Sequence, residues 1–187
     1  MSIYIFPKTH TAPEIISLEK AKEHLRIEAD FVDEDVLIQD YIQAAINAAE
    51  NYIATSINEA KFEVHSDSFI NFYDFKVTPV QAISSVKYLD EAGDLQTLEV
   101  GKYELLPVDQ YTSRIRYTDL DTLPLLDDNS TKAVQIEVLT GYATGTVPKA
   151  IQSAVLLILT DLYENREDRV NNLPTRSQSL LRSYRIY

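Results

Sequence analysis

Residues 147–168 have the sequence VPKAIQSAVLLILTDLYENRED, and every charge in this stretch lies near one of its two ends. The eleven residues 150–160 carry no charge at all. Pro148 precedes them, and proline is tolerated in the first turn of a helix. The stretch therefore predicts a helix over 148–166 that is apolar on almost every side, and a helix of that kind has to be buried.

Two faces of this helix need a cover. The first face carries Ile151, Ala154, Val155, Ile158 and Leu162. The neighbouring face carries Leu156, Leu159 and Tyr163. A long N-terminal helix can cover the first face by packing along it. The second face is covered either by other parts of the same chain or by a neighbouring subunit, and the sequence leaves both arrangements open.

The N-terminal third of the chain predicts two more helices. Ser17 is a good N-cap for a short amphipathic helix over 17–27. The segment 34–55 predicts a long helix, which Asp33 is expected to cap. One stripe of this helix repeats at helical spacing and consists of Ile38, Ile42, Ala45, Ala49 and Ile53.

Between these helices and the last one, residues 60–142 have the character of strands. Phe, Tyr, Val and Ile alternate with polar residues, and short polar segments containing glycine or proline separate the runs. Residues 91–94 predict the turn of a hairpin. Strands in one block with helices on both sides favour an α+β fold. We expect a small bundle of α-helices, with a long N-terminal helix and an apolar C-terminal helix, into which an antiparallel β region is inserted.

The sequence contains no signature of an active site. It has no cysteine, three histidines without metal-ligand spacing, and only four glycines, none of them in a phosphate-binding motif. Its 29 acidic residues do not single out a catalytic pair. We therefore expect no enzyme activity, no cofactor and no metal, and a structural or interaction role instead. A small acid-dependent hydrolase is the alternative from another class.

Targeting and membrane signals are absent as well. The N-terminal segment has no basic region followed by an apolar one, and the apolar run at 150–160 is shorter than the roughly 20 residues that cross a bilayer. These features predict a protein made in the cytoplasm that has no membrane partner.

Charge is distributed unevenly along the chain. The net charge is −12, yet residues 170–187 contain three arginines and no acid. We expect residues 1–169 to form one domain that folds without this basic tail. The tail is either a solvated end or a segment that docks on an acidic partner; its leucines and tyrosines favour docking.

Candidate interaction residues follow from this charge pattern. In the tail, Arg182 and Arg185 would bind carboxylates, and Leu181 and Tyr184 would supply an apolar anchor. Arg166 and Arg169, at the end of the apolar helix, alternate with acids. That pattern fits either a solvent-facing row of ion pairs or pairing between subunits.

Several segments, taken in order, resemble the phage head–tail connector family, of the gp6-like and gp8-like kind. They are ISLEKAKEHLRIEADFVDEDVLIQDYIQAAINAAENYI (16–53), TPVQAISSVKYLDEAGDLQTLEVGKYEL (78–105), VQIEVLTGYAT (134–144), VPKAIQSAVLLILTDLYENRED (147–168) and SLLRSYRIY (179–187). The chain departs from the family pattern at 54–58, which lacks a frequent Thr-Gly-Arg, and at Ser183, where proline is common.

The resemblance implies a structural virion protein of a phage or prophage. Its subunits would form a head–tail connector ring of about a dozen copies between the portal and a tail-completion or stopper protein. Double-stranded DNA would pass through the channel of the ring without specific binding. The location implied is the head–tail interface of the virion, reached from the host cytoplasm during assembly. The alternative is another phage neck or tail-completion protein of similar fold.

Overall fold

The chain divides into two compact units in a computed structural model. The structure describes residues 4–10, 15–69, 73–75, 79–108, 112–143, 145–166, 173 and 175–185. The β unit comprises Met1–Ala12 and Asn58–Tyr142, and the helical unit comprises Pro13–Ile57 and Ala143–Tyr187. Each unit is thus built from two separate stretches of sequence.

The β unit contains eight strands in the part of the chain that is described. They are β1 (Tyr4–His10), β2 (Ala60–Ser66), β3 (Tyr73–Asp74), β4 (Val80–Leu89), β5 (Leu95–Thr97), β6 (Tyr103–Pro107), β7 (Ser113–Tyr117) and β8 (Val134–Thr140). A five-stranded sheet has the order β1-β2-β8-β4-β5, and a smaller sheet has the order β3-β7-β6. All of the strand pairs are antiparallel.

One apolar cluster joins the two sheets. The strict alternation of buried and half-buried residues along β8 places Val134, Ile136 and Val138 on the face that packs inward. Ile115 and Tyr117 of β7 belong to the same cluster. The β unit therefore buries a hydrophobic core of its own.

The predicted turn at 91–94 joins β4 to β5. Leu89 pairs with Leu95, and one carboxylate oxygen of Asp90 accepts hydrogen bonds from the backbone N–H groups of Ala92 and Asp94. Gly93 has a φ of +82°, which glycine adopts without steric cost. The hairpin prediction at this position is confirmed.

The helical unit contains four helices within the described residues. They are α1 (Leu18–Leu25), α2 (Asp35–Ile53), α3 (Lys149–Glu164) and α4 (Thr175–Leu181), and a 3-10 turn over Arg182–Tyr184 follows α4. Ser17 caps α1 as predicted, since its side chain accepts a hydrogen bond from the Lys20 N–H at 3.2 Å. The cap predicted for α2 is wrong: Glu34, not Asp33, occupies the N-cap position, and its side chain makes no capping bond.

The apolar helix α3 is buried on both of its faces. Ile151, Ala154, Val155, Ile158 and Leu159 are each at most 2% exposed, and Leu156 is 8% exposed. Inside the helical unit, α3 contacts α1, α2 and α4. Helices of the same chain thus provide cover for it.

The C-terminal segment is part of this packing. Helix α4 contacts both α3 and α2, and Ser177 and Leu181 are fully buried. Helix α4 is therefore packed on the helical unit and not detached from it, whereas the expectation that the body folds without this segment stays a prediction. The predicted boundary between 169 and 170 lies outside the described residues.

The predicted fold class is also wrong. Secondary structure is mixed α and β, but the molecule is not a helical bundle with a long N-terminal helix and an inserted β region. The strands form a five-stranded sheet and a smaller one around a core of their own, and they make up a separate unit instead of an insertion into a bundle. Helical periodicity in the sequence predicts the helices but does not show which segments share a core. The β segments bury enough apolar surface to form a separate unit.

Candidate interaction surfaces

The connection between α1 and α2 is held in place by a buried lysine. The Lys22 ammonium donates hydrogen bonds to the carbonyl oxygens of Phe31, at 2.8 Å, and Ala29, at 3.4 Å, and forms an ion pair with Asp35. Only 6% of the Lys22 side chain is exposed. A buried lysine must be paired and hydrogen-bonded to be tolerated, so this network gives the connection a defined shape.

This fixed connection exposes apolar side chains. Phe31 is 41% exposed, Val32 63% and Val36 73%. The neighbouring carboxylates of Glu28, Asp30 and Asp33 are exposed too. We call these six residues, Glu28, Asp30, Phe31, Val32, Asp33 and Val36, the entry patch, because they surround the start of α2. An exposed apolar group rimmed by charge is typical of an interaction site.

Beside the entry patch, one cluster joins the start of α2 to the end of α3. Glu34 accepts a hydrogen bond from the Tyr163 hydroxyl and one from the Arg166 guanidinium at 2.8 Å. The Arg166 guanidinium also lies 5.3 Å from the centre of the Tyr163 ring. The bond from Tyr163, followed by the one from Arg166, lowers the pKa of the Glu34 carboxyl, while the bond to Glu34 raises the pKa of the Tyr163 hydroxyl.

The opposite end of α2 borders a polar groove of about 320 Å³. It is lined by Tyr52, Thr175, Gln178, Ser179, Arg182 and Arg185, which we call the arginine groove. The Arg185 guanidinium lies 5.2 Å from the centre of the Tyr52 ring, and both Arg182 and Arg185 are exposed. A guanidinium held against an aromatic ring still presents N–H donors, which suit planar carboxylates.

The residues predicted to mediate interactions occupy different places. Arg182 and Arg185 line the arginine groove, and Tyr184 beside them is half-buried. Arg166 lies at the other end of α2, bound to Glu34. Leu181 is fully buried in the helical unit and is therefore a core residue, not an exposed anchor. Arg169 lies outside the described residues.

Sequence reasoning missed Tyr52 and the entry patch. Tyr52 lies outside the stripe of α2 that the sequence predicts to be buried. The signal for the entry patch was available: Phe31, Val32 and Val36 lie off the buried stripe of α2 and inside a run of acids. Their exposure, however, depends on how Lys22 folds the connection.

Neither surface resembles a catalytic or metal centre. Among the residues that the structure describes, no group of three His, Cys, Asp or Glu side chains could hold a metal ion. The described helices are all too short or too polar to cross a membrane. What the two surfaces can do chemically is bind charged and apolar groups of another macromolecule.

The fold of this chain matches that of chains from solved phage-like particles. A chain of the "Neck of empty GTA particle computed with C6 symmetry" is 22% identical, with a TM-score of 0.78 over 98% of this chain and 96% of that one. A chain of the "Virion of native gene transfer agent (GTA) particle" is 22% identical (TM-score 0.77, 98% and 95% covered). A chain of the "Neck of native GTA particle computed with C12 symmetry" is 18% identical (TM-score 0.75, 98% and 96% covered).

Part of the sequence also matches a family model. Residues 15–87 match the model of the family described as phage gp6-like head-tail connector protein. A search of curated protein sequences finds no significant match. The resemblance to the head–tail connector family is thus confirmed over residues 15–87, and the chain shares its fold with the neck and virion chains described above.

Proposed function

We propose that this chain is the subunit of a head–tail connector ring, located between the portal and a tail-completion or stopper protein. The observation that carries the proposal is the agreement of two independent matches. The family model covers much of the N-terminal half, and the fold of a neck chain covers 98% of the whole chain. A structural subunit also accounts for the entry patch and the arginine groove, two surfaces whose chemistry suits protein partners.

Self-association is part of this proposal. Two of the matched structures are described with C6 and C12 symmetry, so their chains occur in several symmetric copies. Symmetric rings arise when each subunit uses two different surfaces to contact its two neighbours. We propose a ring of about a dozen copies on the portal, whose own symmetry would fix the number of subunits.

The charge of the chain suits a DNA channel. A net charge of −12 gives few of the Lys and Arg contacts that hold phosphates. Acidic walls repel the duplex and leave it free to slide. The proposed ring therefore lines the channel without binding DNA specifically.

The experiment is to image the purified full-length chain by negative stain and to measure its native mass, alone and after mixing with portal rings of the same phage. We expect ring-shaped particles at high concentration, or an added layer of density on the portal rings. A chain that stays monomeric at every concentration and never joins a portal would overturn the proposal.

The second candidate is another neck or tail-completion protein. It is favoured only by the breadth of the structural matches, whose descriptions name the neck or the virion and not a position in it. The same experiment separates the two candidates. A protein of this second kind would bind a preassembled connector–portal complex but not the portal alone.

A further inference from the structure

We propose that the entry patch of one copy seats in the arginine groove of the next copy, and that this contact closes the ring. The inference rests on the proposed ring and names its subunit contact. Its occupant is a second copy of this chain, because the two surfaces complement each other in charge and lie at opposite ends of one helix.

Charge complementarity is the first argument. From Ile27 to Ala60 the chain has eight acids and no lysine, arginine or histidine, and the entry patch contains three of these acids, all exposed. The stretch 170–187 has three arginines and no acid, and two of these arginines line the groove. Opposite charges of this kind attract and align two copies, whereas two like surfaces would repel each other.

The chemistry of the two surfaces is the second argument. Arg182 and Arg185 present guanidinium groups that bind carboxylates through paired hydrogen bonds. The Tyr52 ring offers an apolar face in the same groove. On the entry patch, exposed carboxylates flank Phe31 and Val32, so aromatic and charged contacts can form together. A groove of about 320 Å³ has room for several side chains.

Geometry is the third argument. The entry patch surrounds the first residues of α2, while Tyr52 in the arginine groove is next to its last residue. A helix of 19 residues is about 28 Å long, so the two surfaces of one copy cannot meet. Contact between different surfaces of identical copies is head-to-tail, and such contacts produce rings when the rotation closes.

The test is a pair of charge-reversed variants of the full-length chain. The first variant, Arg182→Glu with Arg185→Glu, has an acidic patch and an acidic groove. The second variant, Asp30→Lys with Asp33→Lys, has a basic patch and a basic groove. In each variant alone, the patch of one copy and the groove of the next carry the same sign of charge and repel each other. We therefore expect self-association to be weakened about tenfold or more.

Mixing the two variants restores complementarity at every contact. The acidic patch of the first variant meets the basic groove of the second, and the basic patch of the second meets the acidic groove of the first. We therefore expect the equimolar mixture to assemble as the wild type does, in alternating order. Association is measured by native mass, and by particle images with and without portal rings.

Two further measurements make the result specific. Arg176→Glu, outside the groove, and Glu91→Lys, in the β unit, are exposed controls with the same kinds of charge change, and we expect them to assemble like the wild type. Thermal unfolding followed by circular dichroism checks that all variants fold, which is expected because every changed residue is exposed.

The remaining outcomes identify what has failed. If each variant alone forms rings as well as the wild type does, this contact is overturned and the proposed function stands. Loss of portal binding by the arginine variant, with unchanged self-association, would assign the groove to the portal and overturn the inference. A wild-type chain that neither self-associates nor joins portals would overturn the proposed function and the inference together.

Discussion

At the scale of single residues, Gly141 is the glycine at which an added side chain would meet neighbouring backbone atoms. It follows β8, has a φ of +86°, and its N–H donates to the Pro79 carbonyl oxygen at 2.9 Å. A Cβ at this position would lie 2.6 Å from the carbonyl carbon of Asn58 and 3.0 Å from the Cα of Glu59. The backbone of the β unit is thus packed against a residue that has no side chain.

We expect Gly141→Ala to lower the free energy of unfolding by more than Gly93→Ala does. Both glycines have a positive φ, which costs an alanine about 1–2 kcal/mol. Only at Gly141 would the new methyl group also meet backbone atoms, because nothing lies within 4 Å of a Cβ at Gly93. Denaturant titration of both variants measures the difference. Equal losses would show that the close approach at Gly141 relaxes at no cost.

Leu181 provides a second prediction at this scale. Because it is fully buried, we expect Leu181→Ala to lower the free energy of unfolding by about 2–5 kcal/mol. The adjacent Leu180 is half-buried and is the matched control, with an expected loss of about 1 kcal/mol. Circular dichroism during denaturation gives both values. A negligible effect of Leu181→Ala would mean that α4 detaches in solution and would revive the docking tail.

At the scale of elements, the cluster of Glu34, Tyr163 and Arg166 joins two helix ends that are far apart in sequence. Glu34 is the N-cap residue of α2, and Tyr163 lies in the last turn of α3. The two carboxylate oxygens of Glu34 accept hydrogen bonds from Tyr163 and Arg166, and neither of them caps the helix. This explains why α2 begins without a side-chain cap.

The cluster predicts a dependence of stability on pH. The hydrogen bonds from Tyr163 and Arg166 hold the pKa of the Glu34 carboxyl below its ordinary value in the folded chain. A group of this kind stabilises the fold above its unfolded pKa, and the contribution disappears as the pH falls through its folded pKa. Glu34→Gln should therefore be less stable than the wild type at neutral pH, and the difference should shrink as the pH falls below about 4.5.

The measurement is denaturant unfolding of the wild type and of Glu34→Gln at a series of pH values. Tyr163→Phe is a useful companion variant, because it keeps the carboxylate and removes the hydrogen bond that lowers its pKa most. It should lose part of the same pH-dependent stability. A difference between the wild type and Glu34→Gln that stays constant from neutral to acidic pH would show that the ionised form of Glu34 is not stabilised in the fold.

At the scale of the whole molecule, the chain has two cores and an uneven charge. The β unit and the helical unit each consist of two stretches of sequence, and a stretch of the other unit separates them. The acids are spread through both units, whereas the C-terminal segment 170–187 carries three arginines and no acid. A chain of this kind is suited to contacts with protein partners more than with nucleic acid.

We accordingly expect the full-length chain not to retain duplex DNA in a mobility-shift experiment at physiological salt. Non-specific DNA affinity comes almost entirely from Lys and Arg on phosphates, and the net charge of −12 opposes it. A basic protein of similar size is the positive control. Tight, salt-sensitive retention of DNA by this chain would contradict a channel wall along which the duplex slides.

The sequence by itself determined the local features. The helical period of α2 and α3, the Ser17 cap and the turn at 91–94 involve residues only a few positions apart, and short-range patterns specify such features. The ordered segments also indicated the connector family, because a resemblance needs no three-dimensional information. The charge asymmetry between the body and the C-terminal segment is a matter of composition alone.

Only the tertiary structure decided which of these features meet. The β unit depends on pairings such as β1 with β2 and β2 with β8, which join residues distant in sequence. The burial of Leu181 depends on where α4 packs, and the exposure of Phe31 depends on the bonds of Lys22. Long-range packing sets these outcomes, and a local pattern cannot distinguish a leucine that anchors a partner from one that completes its own core.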